Sequence, residues 1–236
     1  MTHRVLEVAG LEVAVSERPT RSTMEITIDR DGSLLVAVPA GTPDDPVRDL
    51  IDRKQGWIHR KLIEKADFLP LLPPKQLVNG EGFHYLGRNY RLLLVDDQDA
   101  AVRLSAGRLC LHRDEPDGTA ALIAWYRATG TSWLRQRVRP WASRCNVPEF
   151  AIVVRDLGYR WGSYRDGRLN IHWATLQLPP TLVDYVLVHE LTHAHHPNHT
   201  KGFWDAVARV QPAYDASRDR LAASGRTLWL GDVAIG

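Results

Sequence analysis

The sequence predicts an α+β protein in which a β-rich N-terminal half precedes a mainly helical region that carries a short sheet. Three features predict it. Up to about residue 111 the chain falls into short alternating or apolar runs punctuated by glycine and proline, the pattern of strands. Beyond the polar break at residues 114–118, apolar side chains recur every three or four positions, the period of a helix. The third is the run 184–196, led in by Val183, Tyr185, Val186, Leu187 and Val188, which reads as a buried helix.

In order along the chain, Glu25-Ile26-Thr27-Ile28 and the run 34–38 are strands, and Asp31-Gly32 between them is a hairpin signal. Pro39 and Gly41 close the second. Residues 45–67 place Val47, Leu50, Ile51, Trp57, Ile58 and Leu62 at helical spacing, so a helix is expected there, ending near Pro70. The proline-rich stretch 69–76 is a connector. Four short runs, 83–87, 90–95, 102–104 and 108–111, read as a small antiparallel sheet with glycine turns. The next helix carries Leu122, Trp125, Tyr126, Trp133, Leu134, Val138 and Trp141, and Gly130 is expected to kink or divide it. Residues 152–154 and 168–173 are strands flanking a loop, 158–167. Pro179-Pro180 ends the irregular segment before the helix 184–196.

The 236 residues are 44% hydrophobic and 25% charged with a net charge of +2, ordinary values for a globular chain and too small a charge to name a nucleic acid or membrane partner. No run approaches the roughly 20 apolar residues that span a bilayer. The N-terminus lacks the pattern of a secretory signal, so a cytoplasmic location is expected. Cys110 and Cys145 form no CxxC pair and indicate neither a disulfide framework nor a cysteine metal site. Arg135, Arg137, Arg139 and Arg144 read as a solvated helix face, since no aromatic-interleaved basic motif accompanies them.

His189, Glu190 and His193 spell HExxH within HELTH. Histidines four apart lie one turn apart on one helix face, so both imidazoles can reach a single ion. Glu190, rotated about 100° from His189, can take a proton from a water that zinc acidifies. Such an ion wants three protein ligands and one open position. Glu190 is the last glutamate of the chain, so the third ligand is His195, His196, His199 or a later aspartate. His195 faces away, and His196 would stand about 10.5 Å along the axis from His189. Pro197 lets the chain turn back, and His199 is the preferred ligand. Asp205, Asp215 and Asp219 read as surface charges of a C-terminal helix. The spacing matches that of metzincins, but Met1 and Met24 are the only methionines, so no Met-turn follows. The expected organisation is a β-rich region with one helix at 1–113 and a zincin-type catalytic domain at 114–236.

The segments RWGSYRDGRLNIHW (160–173) and PPTLVDYVLVHELTHAHHPNHTKGFW (179–204) resemble the YgjP-like metallopeptidase family, in Arg160, Trp161, Gly162, Ser163, Asp184, Tyr185, Val186, His189, Glu190, Leu191, His193, Asn198, His199, Phe203 and Trp204. Tyr164 departs from it, standing where the family usually has cysteine. The resemblance implies a zinc peptidase with a peptide or protein substrate, and places Arg160, Trp161 and Ser163 near the cleft, where they could hold substrate backbone or an oxyanion; core packing is the stronger reading for Trp161. It also implies a distant relation to SprT-like proteases, which act on DNA-bound proteins, although no basic aromatic patch or zinc-finger tail is visible here. A metal-binding interaction module is the non-enzymatic alternative, and the intact Glu190 argues against it.

Overall fold

The computed structural model describes residues 3–28, 33–66, 74–158, 160–225 and 227–233. The Asp31-Gly32 turn, the helix end near Pro70 and connector residues 69–73 lie outside them. Among the described residues there are eleven strands and six α-helices, so the protein is α+β with several small sheets.

The chain divides into two compact units, 1–71 and 72–236. The first holds β1 (His3–Val8), β2 (Leu11–Arg18), β3 (Glu25–Ile28) and β4 (Leu34–Pro39), followed by α1 (Asp44–Ala66). The sheet order is β1-β2-β4-β3, with β2 and β4 parallel and the other pairs antiparallel. Alternation puts Leu6, Val8, Val13, Val15, Val36 and Val38 on one face, and Val47, Ile51 and Ile58 of α1 share their core. Asp44 and Asp45 begin α1, where carboxylates suit the helix dipole.

The second unit begins with β5 (Gly82–Tyr85), β6 (Arg88–Val95), β7 (Val102–Ser105) and β8 (Arg108–His112). This sheet is mixed, not antiparallel as expected: two hairpins, β5-β6 and β7-β8, join through a parallel pairing of β6 with β8. Hairpin turns are local and leave their mark in sequence, whereas the pairing of two hairpins is chosen by the core they share. α2 (Gly118–Arg137) opens on Asp117, whose side chain accepts from the amide of Ala120 at 2.9 Å. Gly130 does not divide it, since one continuous helix runs through the position. It is the point of contact with Leu176, whose Cγ would lie 2.7 Å from any Cβ built there. α3 (Arg139–Arg144) follows directly.

A three-stranded sheet of order β10-β11-β9 comes next, from β9 (Ala151–Arg155), β10 (Gly162–Arg165) and β11 (Arg168–His172). β10 corrects the expected loop at 158–167. Its hairpin turn, Asp166-Gly167, has φ of 51° and 68°, the type I′ geometry that a DG dipeptide favours. The 3-10 turn Trp173–Gln177 leads to α4 (Pro180–Thr192), then α5 (Lys201–Val210) and α6 (Tyr214–Gly225). α4 is buried on nearly every side, as its apolar composition requires. Its one acid before Glu190, Asp184, accepts two bonds from the Arg137 guanidinium, at 2.7 and 2.6 Å, and one from the Trp141 indole at 2.9 Å.

α4 stops at Thr192 and does not run to His196. The Thr192 hydroxyl bonds back to the Val188 carbonyl at 2.7 Å, and the next three amides tighten to i−3 acceptors. His193 is therefore the residue that caps the helix.

Candidate metal centre

His189 sits in the last turn of α4, and His193 follows one turn on. The tight turn after Thr192 reverses the chain, and His199 comes back just before α5 begins at Lys201. The Nε2 atoms of His189 and His199 approach to 3.0 Å, and one nitrogen from each of the three imidazoles lies within 4.8 Å of the others. Nitrogens on a single tetrahedral zinc, each about 2.0–2.1 Å from it, would stand about 3.3 Å apart. The donor set therefore suits one borderline-soft divalent ion.

The protonation states agree with that use. Burial, then the neighbouring His193 and His199, drives His189 down to about 3, so its ring is neutral and keeps a lone pair for a metal. His199 is lowered for the same reasons, burial first and His193 second. The Nδ1–H of His193 donates to the carbonyl of His196 at 3.0 Å, which leaves its Nε2 as the acceptor. Nδ1 of His189 is buried without a hydrogen-bond partner among the described residues.

Glu190 is 8% exposed. Burial pushes its carboxyl up to about 7, against the opposing pull of the Arg160 charge and the Tyr164 backbone amide. A carboxyl near neutrality can both accept and return a proton. β10 supplies the floor under it. A Cβ on Gly162 would lie 2.6 Å from Glu190 Cγ and 3.1 Å from its Cδ, so only glycine permits this approach.

The His172 amide donates to the Trp161 carbonyl at 2.8 Å, and residues 162–165 pair with 168–171 in antiparallel register. Hydrogen-bonded and non-hydrogen-bonded pairs alternate in such a ladder, so 161, 163 and 165 bond to β11 while Gly162 and Tyr164 turn their backbone groups to the free edge. The Tyr164 amide is turned toward Glu190. That contribution comes from the backbone and does not depend on which side chain occupies the position.

The remaining site candidates are placed as follows. Arg160 is exposed and close enough to Glu190 to favour its charge. Trp161 lies against the main core, with its ring over Gly225. Ser163 accepts from the Asn170 side-chain amide at 3.3 Å. His195 turns away to the Asn146 carbonyl at 3.1 Å, and His196 contributes its carbonyl to His193. Asp205, Asp215 and Asp219 form exposed ion pairs with Lys201 and Arg218.

Two roles are not assigned by the sequence, although Gly162 and Asp184 are among the residues that carry the resemblance. Gly162 had a legible signal, because the DG turn marks β10 as a strand and a glycine inside a strand marks a close approach. The Arg137–Asp184–Trp141 contact had none, since it joins α2 and α3 to α4, more than forty residues on in the chain. Phe203 packs on all three imidazoles, with ring centroids 5.0, 4.7 and 4.7 Å from His189, His193 and His199.

A family model described as YgjP-like, metallopeptidase domain, matches residues 22–224. No curated protein matches the chain. Among solved structures, a crystal structure of the metallopeptidase zymogen of Pyrococcus abyssi abylysin is similar at 20% identity and a TM-score of 0.37, over 43% of this chain and 99% of that one. A likeness that slight carries no argument about this chain.

Proposed function

We propose, for a chain that belongs to the YgjP-like metallopeptidase domain family, that it is a zinc-dependent peptidase of zincin type whose ion is held by His189, His193 and His199 and whose general base is Glu190. The observation that carries this reading is the convergence of one nitrogen from each of three imidazoles, next to the buried carboxyl of Glu190. Zinc held there would act as a Lewis acid toward the scissile carbonyl and acidify a water.

The chain's own residues do the rest. Glu190 accepts the proton of the attacking water and returns it to the leaving amine. Gly162 and the Tyr164 amide hold that carboxylate in one orientation. The outward backbone groups of β10 other than the Tyr164 amide suit an extended peptide, which would add to the sheet as a further strand with its scissile bond beside the site. Arg160, exposed and next to Glu190, is the candidate for neutralising charge on the substrate carbonyl oxygen.

The test is hydrolysis of a protein or mixed-peptide substrate by zinc-loaded protein. Glu190→Gln keeps the shape and removes the base, so activity should fall about a hundredfold or more while zinc still binds. Equal activity in the two proteins would sink the mechanism.

A further inference from the structure

The three candidate ligands are held in place by different means. His189 is built into α4, and His193 is fixed through its Nδ1 bond to the His196 carbonyl. His199 has neither support. It is exposed, it lies outside any helix, and among the described residues its one hydrogen-bond-range neighbour is His189 itself. Its orientation comes from rings. Phe203 meets it edge-on at 4.7 Å, and Trp204 stacks on it with centroids 5.7 Å apart and planes 30° apart.

Phe203 is fully buried, so its position follows from the core. Trp204 is only half-buried and needs another wall. Tyr214, the first residue of α6, provides it: the two rings stack with centroids 5.4 Å apart and planes 17° apart. The Arg218 guanidinium, one turn along α6, lies 5.8 Å from the Trp204 ring. The turn between α5 and α6 holds the two helices for this contact, with the Gln211 amide on the Val207 carbonyl at 2.8 Å and the Tyr214 amide on the Gln211 carbonyl at 3.0 Å. α6 fully buries only Leu221 and is held by its packing on α4, by the Trp161 ring against Gly225 and by the Tyr214–Trp204 stack.

We propose that Tyr214 is a positioning residue for the metal ligand His199, acting through Trp204 without touching the ion or the ligands. This rests on the three-histidine reading of the site. Removing the outer ring frees Trp204 to tilt, and His199 then samples orientations that do not face the ion. Groups that orient ligands from outside the coordination sphere commonly change metal affinity about 10–100-fold. The hydroxyl of Tyr214 has no part in this, whereas the flat ring is essential.

The experiment compares Tyr214→Leu, which retains an apolar side chain without a ring, with Tyr214→Phe, which retains the ring. Zinc affinity is measured on the full chain by competition with a chromophoric chelator, and the cobalt-loaded protein is read by its visible d–d spectrum. Thermal unfolding of the metal-free proteins is followed alongside. Tyr214→Leu should bind zinc about tenfold more weakly and alter the cobalt spectrum, while Tyr214→Phe stays within about twofold of wild type. If Tyr214→Leu does not fold, Tyr214→Met serves the same comparison.

Wild-type affinity in Tyr214→Leu would overturn the proposal. So would an equal loss in Tyr214→Phe, or a loss that merely follows the melting of the metal-free protein. The underlying site is checked separately: if His189→Ala and His199→Ala leave the zinc affinity of the wild-type chain unchanged, the three-histidine reading fails, and this proposal with it.

Discussion

At the scale of single residues the candidate site depends on one missing side chain as much as on those present. Gly162 lets the backbone of β10 lie against Glu190, and the smallest substitution would put a Cβ 2.6 Å from the Glu190 Cγ. The glutamate must then move by about 1 Å to restore an ordinary contact, and misplacement of about 1 Å can cost about a hundredfold in rate. Gly162→Ala is therefore expected to lower kcat/KM about a hundredfold. Zinc affinity should stay near wild type, because the atoms nearest to the added methyl belong to Glu190 and the Asn170 carbonyl and not to an imidazole. Steady-state kinetics together with zinc titration check this, and an equal loss in both would show that the glycine serves the fold in general.

At the scale of elements, α4 is the beam on which the site is mounted, and its neighbours are fitted to it closely. Asp184 is the anchor of that fit, buried in α4 and bonded by Arg137 of α2 and Trp141 of α3. Gly130 shows the same closeness where α2 crosses the 3-10 turn. Alanine in a helix interior is favoured over glycine by about 1 kcal/mol. Here the added methyl would meet Leu176 Cγ at 2.7 Å, and overpacking of a tight core costs about 1–3 kcal/mol. The second effect is the larger, so Gly130→Ala should destabilise the protein by about 1 kcal/mol in urea unfolding. Stabilisation would mean that Leu176 yields at little cost. In the sequence alone an isolated glycine looks the same whether it kinks or divides a helix or admits a neighbour.

At the scale of the whole molecule, all three candidate ligands, the glutamate and the rings around them belong to the unit 72–236. A ligand that binds only the folded state stabilises what it binds, by about 4 kcal/mol at a thousandfold excess over its dissociation constant. Zinc should therefore raise amide protection against hydrogen exchange in α4, α5 and β10, and a chelator should reverse it. Protection of β1 to β4 should not change. A gain spread evenly through 3–66 would contradict the assignment of the site to the second unit.

What the sequence determined by itself is what is local in the chain. The α+β class followed from period, most strand positions from short apolar runs between glycines, and the shared face of His189 and His193 from their spacing of four. His199 was named by elimination and by the turn that Pro197 permits. The boundaries of α4 and the existence of β10 were missed, although the DG turn was readable. Only the tertiary structure decided how the hairpins pair in the mixed sheet, that Gly162 lies under Glu190, that Asp184 meets Arg137, and that Tyr214 stacks on Trp204. Each of these joins separate elements, and their proximity is set by how whole faces pack together, for which neighbouring residues in the chain carry no signal.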